Sequence, residues 1–434
     1  MTSEERRHKI QEIYDSTSSS VRVGTGTKLK YQGEVQDFAV YKVPIEFLIF
    51  NVDNGRIGTS VQSYFAERGA LNPEDEADSK TIQGFLYDSA VDRNKQTEKS
   101  LAENGQLEPG IITMDGVIVD GNRRATLLRR ISESTGNQYT QSQKDRCRYF
   151  LTRILPANAE PAEILRLETT YQMGSDSKVD YNPLEKYLHA RILKQHGFSL
   201  KQIAEYMALE SANKVQEYLE VMDLLDEYLK NYGYDKIYTQ LPKGIEDPLI
   251  RLNATLKKVR SGRISWITSD RIEEVVADLK AVMFDYLRLD KFSQQDIRII
   301  SAGSDNFLLN ERVWDAFITD YWDFMNGVED EQSVDECIQN ATSAEDSKRL
   351  LRQRDEKWKK QVSEKLVENF NDKKNIIDSK NEKQKPASLL KRALNALAEI
   401  DESTLSTASD LDVVRARISE VLDRMKVLSD AVNS

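Results

Sequence analysis

The spacing of hydrophobic positions changes part-way along this chain. Up to about residue 155, short β-branched runs bounded by turn residues alternate with helical segments; beyond Pro156 the period is helical almost to the end. Val117, Ile118 and Val119 lie between the Asp115-Gly116 pair and Gly121 and read as a buried strand. The run from Gly110 to Met114 is a strand before that tight turn, and from Ala125 the apolar positions Leu127, Leu128 and Ile131 fall on one helical face. Val43–Phe50 opens the same region as an apolar stretch, and a helix from Thr97 to Asn104 closes at Gly105, where a C-cap glycine is expected. Arg148–Leu155 reads as a last strand. The pattern predicts an α+β N-terminal domain followed by mainly α-helical domains, a helix-turn-helix and then a helical bundle.

Boundaries follow from composition shifts. Residues 1–35 are polar and serine- and glycine-rich, and read as a flexible lead-in; residues 36–157 form the α+β domain, with 58–95 as an insertion carrying the acidic patch Glu74–Asp78. Residues 158–232 hold the helix-turn-helix. There Asn182 caps a helix that begins at Pro183, Ser199 and Gln202 have capping-box spacing, and Ser211 caps a longer helix with Val215, Leu219, Met222 and Leu225 inward. Residues 235–343 read as a helical domain whose core draws on Trp266, Trp314, Trp322, Phe284 and Tyr286. Residues 345–388 read as a solvated charged helix and linker, and 389–434 as a C-terminal helical hairpin, interrupted near Asp401–Ser409 and suited to homodimer formation.

Composition narrows the class. The chain has 434 residues, long enough for several domains, and a net charge of −11, which argues against a uniformly basic nucleic-acid coat without excluding a local basic patch. Its 2 cysteines and 3 histidines supply neither a disulfide framework nor zinc-ligand spacing. There is no apolar signal-like start and no run long enough to span a bilayer, so a cytoplasmic protein with no membrane partner is expected.

The candidate chemistry centres on Gly121-Asn122-Arg123-Arg124. A strand that hands over to a helix through glycine exposes backbone amides at a positive helix end, and two guanidinium groups stand beside it. The plainer reading is a basic helix start that caps a strand–helix turn. In the helix-turn-helix, Asn213 and Gln216 have the chemistry to read adenine edges, and Lys194, Lys201 and Lys214 to meet phosphates. Glu210, Glu217 and Glu220 crowd the same helix, so a spacer that keeps the shape without DNA is the competing reading. His189 and His196 read as ordinary helix residues.

The order of these segments resembles the ParB/sulfiredoxin-like superfamily, in its ParB layout, over about residues 40 to 230. Asn51-Val-Asp-Asn-Gly-Arg56 is similar to the family's Asn-Pro-x-Gln-Pro-Arg box, and Ser100–Pro109 to the helix and glycine that lead into its central strand. Gly121–Arg124 is similar to its Gly-Glu-Arg-Arg box, Glu168-Thr-Thr-Tyr-Gln172 faintly to Glu-Asn-x-x-Arg, and Asn182-Pro-Leu-Glu185 to Asn-Pro-x-Glu. The resemblance implies a nucleotide triphosphate, CTP or ATP, bound with Mg2+. Arg56, Gly121, Asn122, Arg123 and Arg124 would meet the phosphates, Glu168 would hold the metal, and DNA would meet the helix-turn-helix. Asn122 stands where the family has Glu, Thr126 where a further Arg is usual, and Thr169 and Gln172 replace the Asn and Arg of the faint box. An amide does not take a proton, so binding is expected ahead of hydrolysis. Sulfiredoxin's cysteine has no counterpart at Asn122. Two alternatives remain: a nuclease or phosphotransfer enzyme on the same scaffold, with Glu168 or Asp120 as metal ligand, and a degenerate interaction module.

Overall fold

The computed structural model describes residues 1–173, 182–398, 400 and 411–433. In chain order the α/β part contains α1 (Ser3–Asp15), β1 (Arg22–Tyr31), β2 (Glu34–Pro44), α2 (Gly58–Arg68), α3 (Glu76–Asp88) and α4 (Val91–Asn104). It continues with β3 (Gly110–Ile112), β4 (Ile118–Asp120), α5 (Asn122–Ser132), α6 (Gln141–Arg146), β5 (Tyr149–Ile154) and α7 (Pro161–Met173). The strands form one mixed sheet in the order β1-β2-β5-β3-β4, antiparallel except where β3 runs parallel to β5. One apolar cluster, with Val43, Ile112, Ile118, Leu128 and Phe150, joins the sheet to α3, α4 and α5. A smaller one, with Leu29, Tyr31, Ile111, Val119 and Leu167, lies against α7.

The first 35 residues are not a flexible lead-in. Thr2 and Glu5 form a capping box for α1, Ile10 is fully buried, and Arg6 reaches under the Asp115-Gly116 turn. Its Nε donates to the Asp115 carbonyl at 2.6 Å, and Nη2 pairs with Glu74 at 2.5 Å. A buried arginine in place of a leucine removed the apolar signal that a helical reading needs. β1 and β2 meet at Gln32-Gly33, both with positive φ (51° and 84°), the geometry of a primed two-residue hairpin. Residues 58–95 are likewise no insertion: they form α2, α3 and the first part of α4, and α3 seats Ile82 and Leu86 in the main core of the unit.

Past Pro156 the helices are α8 (Pro183–Gln195), α9 (Leu200–Tyr206), α10 (Ala212–Asn231), α11 (Glu246–Arg260), α12 (Ile272–Leu289), α13 (Gln294–Ser301), α14 (Glu311–Met325), α15 (Val334–Gln339), α16 (Ala344–Ala398) and α17 (Leu411–Asn433). Asn182, Ser199 and Ser211 cap α8, α9 and α10 as their spacing predicts, and Ala208 takes the left-handed conformation in the α9–α10 turn. A small core of Met173, Ala190, Leu193, Ile203, Met207 and Val215 holds this trio together.

The boundaries expected near 232 and 345 do not separate cores. Tyr187, Leu225 and Leu229 share one large apolar cluster with Trp314, Phe317, Leu351, Trp358, Leu366 and Phe370. The charged stretch after residue 345 is therefore no linker; its buried positions recur at helical spacing among lysines and acids, which dilute the mean hydropathy without erasing the stripe. Trp314, Phe284 and Tyr286 are buried as expected, Trp266 is partly buried, and Trp322 is on the surface, where its Nε1 donates to Asp278. The interruption expected at Asp401–Ser409 lies outside the described residues.

Arg288 of α12 locks α16 into this core. Its guanidinium lies over the rings of Tyr232 and Trp358, 4.3 Å from each centroid, donates to both carboxylate oxygens of Glu331 at 2.6 Å, and reaches Asp355 at 2.5 Å. Burial opposes the charge, but Glu331 and Asp355 hold its pKa above the ordinary arginine value.

Candidate functional site: the junction of the sequence boxes

The strand–helix corner forms as its sequence predicts. Gly121 has φ 101° and caps α5, and a Cβ there would come within 2.7 Å of the Phe150 ring. Close approach of the aromatic side chain, as well as the backbone turn, thus requires the glycine. Arg124 is held differently from the prediction. Arg124 donates to the Asp120 carboxylate at 2.8 Å and to the Glu108 carbonyl, so this guanidinium closes the corner from within. Arg123 is half-buried beside it. Asn122 is buried, and its amide is structural: Oδ1 accepts from the Asn51 N–H at 3.0 Å, and Nδ2 donates to the Ile118 carbonyl at 2.9 Å. It spans the two boxes instead of facing a ligand.

The Asn51–Arg56 box, the Gly121–Arg124 box and the Glu168–Gln172 segment do converge. Glu168, only 2% exposed, accepts from the Gly55 N–H at 3.2 Å, from Asn51 Nδ2 at 3.1 Å and from Gln172 Nε2 at 3.3 Å. Gln172 also donates to the Val119 carbonyl at 3.1 Å. Burial pushes the Glu168 carboxyl up to about 8, against the downward pull of the Gly55 and Asn51 hydrogen bonds. This set does not fit Mg2+. A hard cation needs ionised, accessible oxygens, whereas the Glu168 carboxyl favours its neutral form and spends its oxygens on protein N–H groups. Among the described residues no group of three or more His, Cys, Asp or Glu side chains is placed to share a metal ion. Glu168 is a latch between α7 and the first box, and Asp120 is committed to Arg124.

α8 fastens the α8–α10 trio to the start of α2, just after the first box, and to α7. Glu185 caps α2 from outside: its carboxylate accepts from the Thr59 hydroxyl at 2.5 Å and from the Thr59 N–H at 3.2 Å. Burial raises its carboxyl to about 7, countered by Thr59 and the Gly58 N–H. His189 is buried and meets the Thr169 hydroxyl at 2.7 Å; that hydroxyl donates to the Leu165 carbonyl at 2.7 Å, which leaves the histidine Nε2–H as donor. Burial lowers the His189 pKa to about 4, so the ring is neutral. Neither Glu185 nor His189 was a predicted site residue, although Glu185 ends the Asn-Pro-x-Glu match, a signal in plain view.

The predicted DNA-facing residues divide. Lys194, Lys201, Asn213 and Gln216 are exposed. Lys214 is occupied internally: its ammonium pairs with Glu217 at 2.7 Å and lies 5.5 Å from the Tyr218 ring centroid, while Gln216 donates to Glu220 at 3.3 Å. Lys194 and Lys201 make no ion pair with any described residue.

Beside the junction, on the outer side of Arg56, runs a groove of about 650 Å³. Its walls come from α2 and α3, from Asn182 and Glu185 at the start of α8, and from Thr239 and Lys348 of the helical part. Of the predicted phosphate ligands Arg56 lines it, and none of Gly121–Arg124 does.

No family model matches the sequence, and no curated protein matches it. Among solved structures, the C-terminally truncated chromosome-partitioning protein ParB from Caulobacter crescentus, complexed with CTP-gamma-S, is similar over 55% of this chain and 98% of its own length, at 15% identity and a TM-score of 0.18. A score that low carries nothing over to this chain. Among the described residues no helix is long and apolar enough to cross a membrane.

Proposed function

We propose that this chain is a nucleotide-responsive DNA-binding protein, in which ligand binding at the α/β unit is coupled to the helix-turn-helix of α8–α10. The observation that carries this reading is the double attachment of α8, through Glu185 to Thr59 at the start of α2, directly after the first box, and through His189 to Thr169 in the Glu168–Gln172 segment. A ligand that shifts the Asn51–Arg56 loop or the start of α2 then shifts α8, and a conformational change in one unit is felt in the other. Lys194, Lys201 and Asn213, exposed on one trio of capped helices, support the DNA part.

The DNA part is tested by duplex binding at several salt concentrations, with and without CTP or ATP and magnesium. The wild type should bind more weakly as salt rises. Replacing Lys194 and Lys201 with alanine should lower the log–log salt slope by about 2, close to one per lost phosphate contact. A slope unchanged in that variant would take DNA away from this face.

The reading includes self-association through the C-terminal helices. Leu411, Ile418, Val421 and Met425 are exposed on α17, and with Val414 and Leu428 they recur at alternating spacings of about three and four, the seam of a coiled coil. Light scattering should find a dimer for the full chain and a monomer for a chain truncated after Ala387; a monomeric full chain excludes the dimer.

A further inference from the structure

We infer that the ligand seat is the three-walled groove beyond Arg56, not the Gly121 corner, and that it takes a nucleoside phosphate. The inference rests on the nucleotide-responsive reading and gives it a location.

The groove volume of about 650 Å³ falls within the range of small-molecule and cofactor pockets, and its place where the α/β unit meets the helical body is where such pockets occur. Its chemistry is graded along its length. At the α2 N-terminus the Glu185 carboxylate already satisfies the exposed amides, so a ligand anion has no vacancy there. At the opposite end the groove runs on into a smaller recess of about 190 Å³, and the two share Glu67 and Arg68. There Arg68, the last residue of α2, and Lys348, in the first turns of α16, are both exposed, and neither makes a hydrogen bond or ion pair with any described residue. Both cations line the groove together with Glu67, whose carboxyl pKa burial raises and Arg68 and Lys348 pull down. Ser343 and Ser347 line the recess beside the start of α16, where Ser343 Oγ accepts from the Asp346 N–H at 3.1 Å and the Asp346 carboxylate accepts from Thr342. Ser347 is 2% exposed, and its hydroxyl has no hydrogen-bond partner.

Two cations drawn from different elements and lining one groove, with the unpartnered Ser347 hydroxyl beside them, suit a phosphate. The rest of the groove suits the remainder of a nucleotide. Asp88 and Ser89 offer hydrogen-bond partners for sugar hydroxyls, and Phe85, edge-on to Tyr64 with centroids 6.1 Å apart, offers an apolar side for a base. A purely anionic ligand would leave this half unused and would meet Asp88 and Glu67 unfavourably.

Calorimetric titration of the full chain with CTP, ATP and inorganic phosphate, each with magnesium, tests the assignment. Two double variants separate the locations: Arg68→Glu with Lys348→Glu in the groove, and Arg123→Ala with Arg124→Ala at the corner. The wild type should bind a nucleotide more tightly than phosphate alone. The groove variant should lose roughly tenfold or more in affinity, and the corner variant should keep it. Both positions in the groove variant are exposed, and a melting temperature within a few degrees of wild type will show that its fold is intact. Retained affinity in the groove variant, with loss at the corner, would overturn the seat and leave nucleotide binding standing. Phosphate binding as tightly as nucleotide would overturn the nucleoside part, and no binding by the wild type would overturn both readings.

Discussion

Glu168→Ala is expected to destabilise the α/β unit by roughly 3–5 kcal/mol, the sum of a cavity and of buried N–H donors left without an acceptor. The Gly55 N–H, Asn51 Nδ2 and Gln172 Nε2 all lose a partner at once. That loss is a large share of a typical domain's stability. Glu168→Gln keeps the shape and an acceptor, and should be far milder. It should also change the pH dependence. The carboxyl pKa is raised from 4.5 to about 8 in the folded chain, so the fold favours the protonated form. Its contribution is complete below the unfolded value and is lost as pH rises through about 8; Glu185, raised to about 7, adds a loss that begins at the same unfolded value and is complete sooner. Thermal melts should therefore show the wild type weakening between about pH 5 and about pH 9, and Glu168→Gln flattening the upper part of that decline. A wild-type melting temperature that stays level over that interval would remove the buried-proton account of this latch.

Arg288→Ala should destabilise the helical part by about 3–5 kcal/mol, the range for removing one partner of a buried, hydrogen-bonded ion pair. Glu331 and Asp355 would lose their closest cation and keep only Arg354, at 3.2 and 3.7 Å, and Tyr232 and Trp358 would lose the guanidinium that lies over both rings. Arg288→Met, which retains the stem, should restore packing but not charge, and fall between alanine and wild type. Urea unfolding followed by tryptophan fluorescence reports the helical part, where all 4 tryptophans lie. If alanine shifts the midpoint no more than an exposed arginine such as Arg352 does, Arg288 is not the lock of α16.

Much of the fold was legible where local chemistry alone decides it. Asn182-Pro183, Ser199 with Gln202, and Ser211 mark helix starts through hydrogen bonds that close within a few residues, and the structure has caps at all three. The strand–turn–strand–helix from Gly110 was equally local. What the sequence hid depends on distant partners. α1 carries a buried Arg6 whose acceptors are Asp115 and Glu74, far along the chain, so its inward face looks polar. α16 alternates charge so densely that its buried stripe of Leu351, Trp358, Val362, Leu366 and Phe370 is visible only once the facing aromatic residues are known.

The candidate site divides along the same line. Convergence of the boxes was legible from their order, and Asn51, Asn122 and Glu168 meet as that order implies. Their roles were not, because a carboxylate quoted as a metal ligand looks the same in sequence as one that accepts protein N–H groups in a dry interior. Arg124 likewise reads as a phosphate ligand until Asp120, one turn away on the preceding strand, is seen to hold it. Arg68 and Lys348 were unremarkable in sequence, since only the packing of α16 against the α/β unit brings them to one groove.

α16 is one continuous helix whose first half is sunk in aromatic packing and whose far end carries Leu389, Leu390, Leu394 and Leu397 on the outside, with Pro386 between the two regions. At about 1.5 Å per residue the stretch beyond Ile377 reaches roughly 30 Å from the body. Torque applied at its tip, by a second copy or any other load, is delivered at the base of the shaft. Lys348 and Ser347 stand at the other end of the buried half, about 45 Å before Ile377 at that rise, so a load on the tail reaches the recess only by sliding or turning the whole aromatic-packed rod that Arg288 holds through Trp358 and Asp355.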